Sequence, residues 1–145
     1  MTNKLATKRF LIAIGLGGLF GLLCVSLAAY HQPEIANLFN PLFWTIFSDR
    51  VLIGIMVAGA GVFTVDPLLG WHYLPCLRGS WIGILVSVPL AAGSMTSPPP
   101  SNMSHWMIFG ITLLAGAIYG AIIDVTTTRI AGQGKILIED SSCRL

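Results

Sequence analysis

The chain has 145 residues, of which 54% are hydrophobic and only 10% charged, and its formal net charge is +2. Soluble domains carry about 25% charged residues, so this chain is too poor in charge to keep a folded surface wet, and the bilayer is its expected surroundings. The positive balance is small and forms no basic patch, so a nucleic-acid partner is not expected. Cys24, Cys76 and Cys143 show neither disulfide-like spacing nor a Cys-x-x-Cys pair, and no Cys/His cluster accompanies them.

The first apolar stretch runs from Arg9 to Tyr30, behind Lys4, Lys8 and Arg9. A signal peptide is the competing reading, with Ser26 to Ala28 as its cleavage motif. The apolar core exceeds the 7–15 residues typical of such peptides, so an uncleaved first span is expected.

The segment from His31 to Arg50 reads either as a connecting loop with aromatic anchors or as a helix in the membrane plane. Pro33 and Glu34 suit a helix start. Phe39, Phe43, Trp44 and Phe47 suit the bilayer interface, and Asn40-Pro41 should interrupt any helix. Only residues 51–65 separate Arg50 from Asp66, which at ~1.5 Å per residue is short of a ~30 Å hydrocarbon core. The second span therefore borrows length from its front. Asp49 and Arg50 are then expected near the outer boundary, where Arg can snorkel.

The third span starts at Gly79, holds Pro89 as a kink, and ends before the stiff Pro98–Pro100 turn. The fourth starts near Ser104, whose side chain suits an N-cap. A short polar tail closes the chain, with alternation over Lys135 to Glu139 that could support one strand.

The expected fold is an all-α integral membrane protein with four transmembrane helices and room for a short interfacial helix between the first two. The spans fall at about 10–30, 46–66, 79–96 and 104–128, within a transmembrane domain 10–129 flanked by cytoplasmic residues 1–9 and 130–145. Seven of the eight basic residues then lie on one side, which by the positive-inside bias puts both termini in the cytoplasm of a bacterial inner membrane.

Each span carries small residues four apart: Gly17 and Gly21; Gly54 and Ala58; Gly79, Gly83, Ser87 and Ala91; Gly116 and Gly120. Between helices in lipid, close backbone approach through such residues supplies the association. Packing within one bundle is the first reading. The alternative turns one stripe, that of the third span, toward another subunit.

Charges within a membrane are functional candidates, and depth decides between them. Asp124 lies nineteen residues after His105, about 28 Å along a helix, so it is expected as a boundary residue near the inner face. Asp66, Arg78 and Asp124 form the candidate polar site, with Arg78 expected to pair with Asp124 and Asp66 competing for the same guanidinium. Trp71 and Tyr73 read as interface anchors, while His72 and Cys76 are too few for a metal site. Met95, Met103, His105 and Met107 bring soft ligands suited to Cu(I), but methionines beside an apolar span are ordinary and no metal is expected.

Neither a nucleophile–base pair nor a phosphate loop is visible, so neither an enzyme nor a cofactor is expected. The function expected is a non-enzymatic membrane subunit, either a homo-oligomer or an accessory chain of a larger complex, packed through the small-residue faces. The alternative is a small transporter or channel working at Asp66, Arg78 and Asp124.

Overall fold

The computed structural model describes residues 4–61, 74–96 and 103–134. They form four helices: α1 (Lys4–His31), α2 (Pro41–Ala60), α3 (Pro75–Gly93) and α4 (His105–Ala131), with a single 3-10 turn, Pro33–Ala36, between the first two. All four are long and apolar enough to cross a membrane. Asp66, the Trp71–Tyr73 segment, the proline turn and the strand expected over Lys135 to Glu139 lie outside the described residues.

Local chemistry sets the helix ends. Asn40 accepts from Leu42 N at 2.9 Å, and Pro41 occupies the first helical turn, where its missing N–H costs nothing. Ser104 caps α4 by accepting from Met107 N at 3.2 Å. Gly132, with φ 77, turns the chain out of α4 through the left-handed region that glycine tolerates. The turn before α2 is wired as well. Trp44 Nε1 donates to Leu38 O at 2.9 Å, and Asn40 Nδ2 donates to Glu34 O at 3.1 Å.

These ends change one expectation of depth. Because the Asn40 cap starts α2 at Pro41 rather than near residue 46, Asp49 and Arg50 fall about halfway along its 20 residues. They are mid-span residues, not boundary residues. The helix itself is long enough, about 30 Å at the usual rise, without the residues up to Asp66. Likewise α1 begins at Lys4, and Arg9 is 1% exposed inside the bundle rather than part of a solvated flank.

The helices pack as two antiparallel hairpins, α1 with α2 and α3 with α4. The small residues explain how closely they approach. A Cβ on Gly17 would lie 2.6 Å from Arg50 O, and one on Gly21 2.9 Å from a Phe47 ring carbon. One on Gly54 would collide with Ala13 O, while Ala58 is buried beside them. Across the second hairpin, Gly79 and Gly83 meet the carbonyls of Gly120 and Gly116, and Gly116 faces Ser87. The third helix therefore spends its stripe on α4, within the same chain, and does not keep it for another subunit.

The two hairpins join through Ala13, Ile53, Val57, Ala58 and Ile123, with Phe20 of α1 stacked on Tyr119 of α4 at 4.7 Å. At the far end, the buried cluster of Val25, Ile35 and Phe43 belongs to α1, α2 and their connection alone. There the first eleven residues of α4, 105–115, include none that is fully buried. Contact between hairpins is thus concentrated from mid-span to the Arg9 end.

Candidate functional site

Among the described residues five charged side chains are buried in this apolar bundle: Arg9, Asp49, Arg50, Arg78 and Asp124, none more than 9% exposed. They gather at two depths.

At the Arg9 end, Asp124 is fully buried and shared by two arginines. Arg78 binds it with a fork, Nε to Oδ2 and Nη2 to Oδ1, both at 2.8 Å. Arg9 Nη2 donates to Oδ1 at 2.7 Å. The remaining Arg9 donors reach Val57 O and Ala58 O at 3.3 Å, Thr128 Oγ1 at 3.2 Å and Gly132 O at 2.7 Å. The carbonyls of Val57 and Ala58 belong to the last turn of α2, where orphan C=O groups and the negative end of the helix dipole favour a cation. One guanidinium thus fastens α1 to α2 and α4, and Asp124 adds α3. Thr128 Oγ1 also lies 3.3 Å from Asp124 Oδ1.

At mid-span the centre is Arg50. Its Nη1 donates to Asp49 Oδ2 at 2.8 Å and to Ser87 Oγ at 2.9 Å, and Ser87 donates in turn to Asp49 Oδ2 at 3.1 Å. Its Nε donates to Cys24 Sγ at 3.3 Å, and the guanidinium carbon sits 5.2 Å from the Tyr119 ring centroid. Cys24 is on α1, Asp49 on α2, Ser87 on α3 and Tyr119 on α4, so all four helices converge on this one side chain.

Of the expected polar site, the structure brings Arg78 and Asp124 together, and Asp66 lies outside the described residues. Asp124, toward the end of α4, is 0% exposed, so the pair is fully desolvated. His105 Nδ1 lies 3.3 Å from Ser94 O. Among the described residues no three of His, Cys, Asp or Glu come together to hold a metal.

Sequence reasoning set Arg9, Asp49 and Arg50 at the ends of their spans and passed over Ser87's part in an ion pair, Cys24 and Tyr119. A signal for several of them was present. Arg9, Ala13, Gly17 and Gly21 are four apart, as are Arg50, Gly54 and Ala58, and Gly116, Gly120, Asp124 and Thr128. A charge in register with a small-residue stripe shares the face that meets the neighbouring helix. That register, rather than distance from the nearest loop, marks an interior charge.

No protein family, curated protein or solved structure matches the chain.

Proposed function

We propose that the chain is a small ion-handling membrane protein, a transporter or channel of non-enzymatic character, whose working centre is Asp49–Arg50 with Ser87, Cys24 and Tyr119. The observation that carries this reading is an ion pair halfway along α2 whose guanidinium touches all four helices. Charged residues inside membrane helices are costly, and ion and proton pathways are among the functions they mark. A buried ion pair by itself gains little stability over apolar side chains of similar volume, and Asp49, unlike Asp124, offers only one oxygen to its partners among the described residues.

The test is flux in proteoliposomes. A pH gradient imposed across vesicles containing the protein is expected to drive ion movement, and both Asp49→Asn and Arg50→Gln are expected to abolish it. Flux unchanged in both variants would move the working centre elsewhere.

A second reading, the passive subunit of a homo-oligomer or larger complex, is supported by the Asp124 centre. There Arg9 has a partner for each of its donors, which suits a fastener. Native mass after mild extraction separates the two: co-purifying foreign subunits would favour the accessory role.

We place the chain in a bacterial inner membrane with the Arg9 end cytoplasmic. Lys4, Lys8 and Arg129 are all exposed at that end, in keeping with the positive-inside bias. A cysteine at Ser104 is then expected to react with an impermeant maleimide in intact cells, and native Cys76 only after permeabilisation. The reverse pattern would invert the orientation.

A further inference from the structure

The two aspartates hold their arginines differently. Asp124 uses both oxygens, on two arginines. Asp49 gives one oxygen, Oδ2, to Arg50 and Ser87; among the described residues Oδ1 receives no hydrogen bond, and the residue keeps 9% exposure. Arg50, by contrast, does not depend on Asp49 for its position. Cys24, Ser87 and the Tyr119 ring hold the guanidinium from three other helices. The carboxylate is the replaceable member of the centre and the guanidinium is the fixed one.

A proton arriving on Oδ1 would cancel the charge of Asp49 and leave Arg50 without a counterion in an apolar interior. An uncompensated charge there is strongly disfavoured, so an anion from outside is drawn to the place the carboxylate gives up. The sign is set by the pair itself: the charge left over is that of Arg50, and a cation would add to it. Among the described residues the balance leans the same way, with three buried arginines to two buried aspartates.

We propose that Arg50 and Ser87 form an anion-binding site whose resting occupant is the carboxylate of Asp49, and that a small monovalent anion replaces it when Asp49 takes up a proton. This rests on the reading of Asp49–Arg50 as the working centre and names what it handles. Charge balances: the resting pair is neutral, and so is protonated Asp49 beside Arg50 with one bound anion. Proton and anion enter and leave together. Ser87, which now donates to Asp49, turns the same hydroxyl to the anion. The occupant has to be small, since Ser87 is fully buried and its Oγ already lies 2.5 Å from where a Cβ on Gly116 would stand. The titratable and charged groups around the pair are Cys24 from α1, Arg50 from α2 and Tyr119 from α4; α3 contributes only the Ser87 hydroxyl.

The test is thermal stability in detergent, with sodium gluconate as the bulky control and chloride, nitrate or formate as probes. For the wild type we expect no response to the small anions at pH 7.5 and a rise in Tm of about 5 °C at pH 5 with saturating anion. Asp49→Asn, permanently neutral, should show that rise at both pH values, and Arg50→Gln at neither. Ser87→Ala keeps the ion pair and should weaken the acid response several-fold, which keeps the test decisive if Asp49→Asn does not fold. A wild type indifferent to small anions at pH 5, or an acid response that survives in Arg50→Gln, overturns the proposal. Asp49-dependent flux without any anion response would remove the anion and leave ion handling at the pair standing. Absence of flux from the wild type would instead remove the wider reading, since binding in detergent needs no gradient.

Discussion

The Asp124 and Arg50 centres tie the same four helices and are built on opposite plans. At Asp124 an acid is the hub and two arginines are its spokes, with spare donors absorbed by the carbonyls that end α2 and follow α4. At mid-span a base is the hub, and its partners are one carboxylate oxygen, a hydroxyl, a thiol and an aromatic face. Backbone carbonyls become free only where a helix ends, so a centre near the end can saturate its cations with fixed acceptors. Mid-span has no such supply, and side chains must do the work. Side chains can change protonation and rotamer, whereas terminal carbonyls cannot. The difference separates a fastener from a centre that can exchange partners.

The largest effect is expected where the hub of the fastener is removed. Asp124→Asn leaves two buried guanidinium groups without their shared carboxylate, and a cost of about 3–5 kcal/mol is expected, as for other broken buried pairs. Thermal aggregation of the extracted protein reads it. Removing one spoke, Arg78→Gln, should cost less, since Arg9 still neutralises the acid. The double variant should cost less than the sum of the singles, and strict additivity would argue against the contact seen here.

Next comes the packing that presents Ser87 to Arg50. Gly83→Leu drives a side chain into the Gly116 carbonyl, and about 1–3 kcal/mol or more is expected from overpacking. Leu85 on the same helix is 64% exposed, so Leu85→Ile should be mild. Equal tolerance of both changes would mean that the α3–α4 approach is looser than described.

A gentler change tests the reach of the Arg9 guanidinium. Arg9→Lys keeps the charge beside Asp124 but cannot span Val57, Ala58, Thr128 and Gly132 with its three donors. A loss of about 1–2 kcal/mol is expected, seen in the same assay. No loss would show that charge alone, without the spread of the Arg9 donors, suffices at this position. The smallest effect concerns the cap that sets the depth of the mid-span centre. Asn40→Ala removes the acceptor for Leu42 N and should cost about 1 kcal/mol. Flux through the Arg50 centre should survive it, because the cap lies outside the pair.

Much of this architecture was open to reading from the chain alone. Long uncharged runs called for long apolar helices, Ser104 marked a helix start, and glycines four apart showed which faces would meet. These are signals of local range, carried by neighbours within a turn or two. The pairing of Arg78 with Asp124 was also within reach, because antiparallel neighbours bring the start of one helix to the depth of the other's end.

Only the tertiary structure decided the rest. Arg9 and Asp124 are 115 residues apart, and Arg50 and Ser87 are 37 apart; no local code records such partners. The depth of Asp49 and Arg50 turned on where α2 begins. Counting back from Asp66 placed them at the outer edge, while the Asn40 cap placed them at the centre. A buried charge takes its meaning from the groups that replace its water, and in this bundle those groups come from four separate helices. Hydropathy and spacing, read along one helix at a time, determine that a charge is inside but not what it meets there.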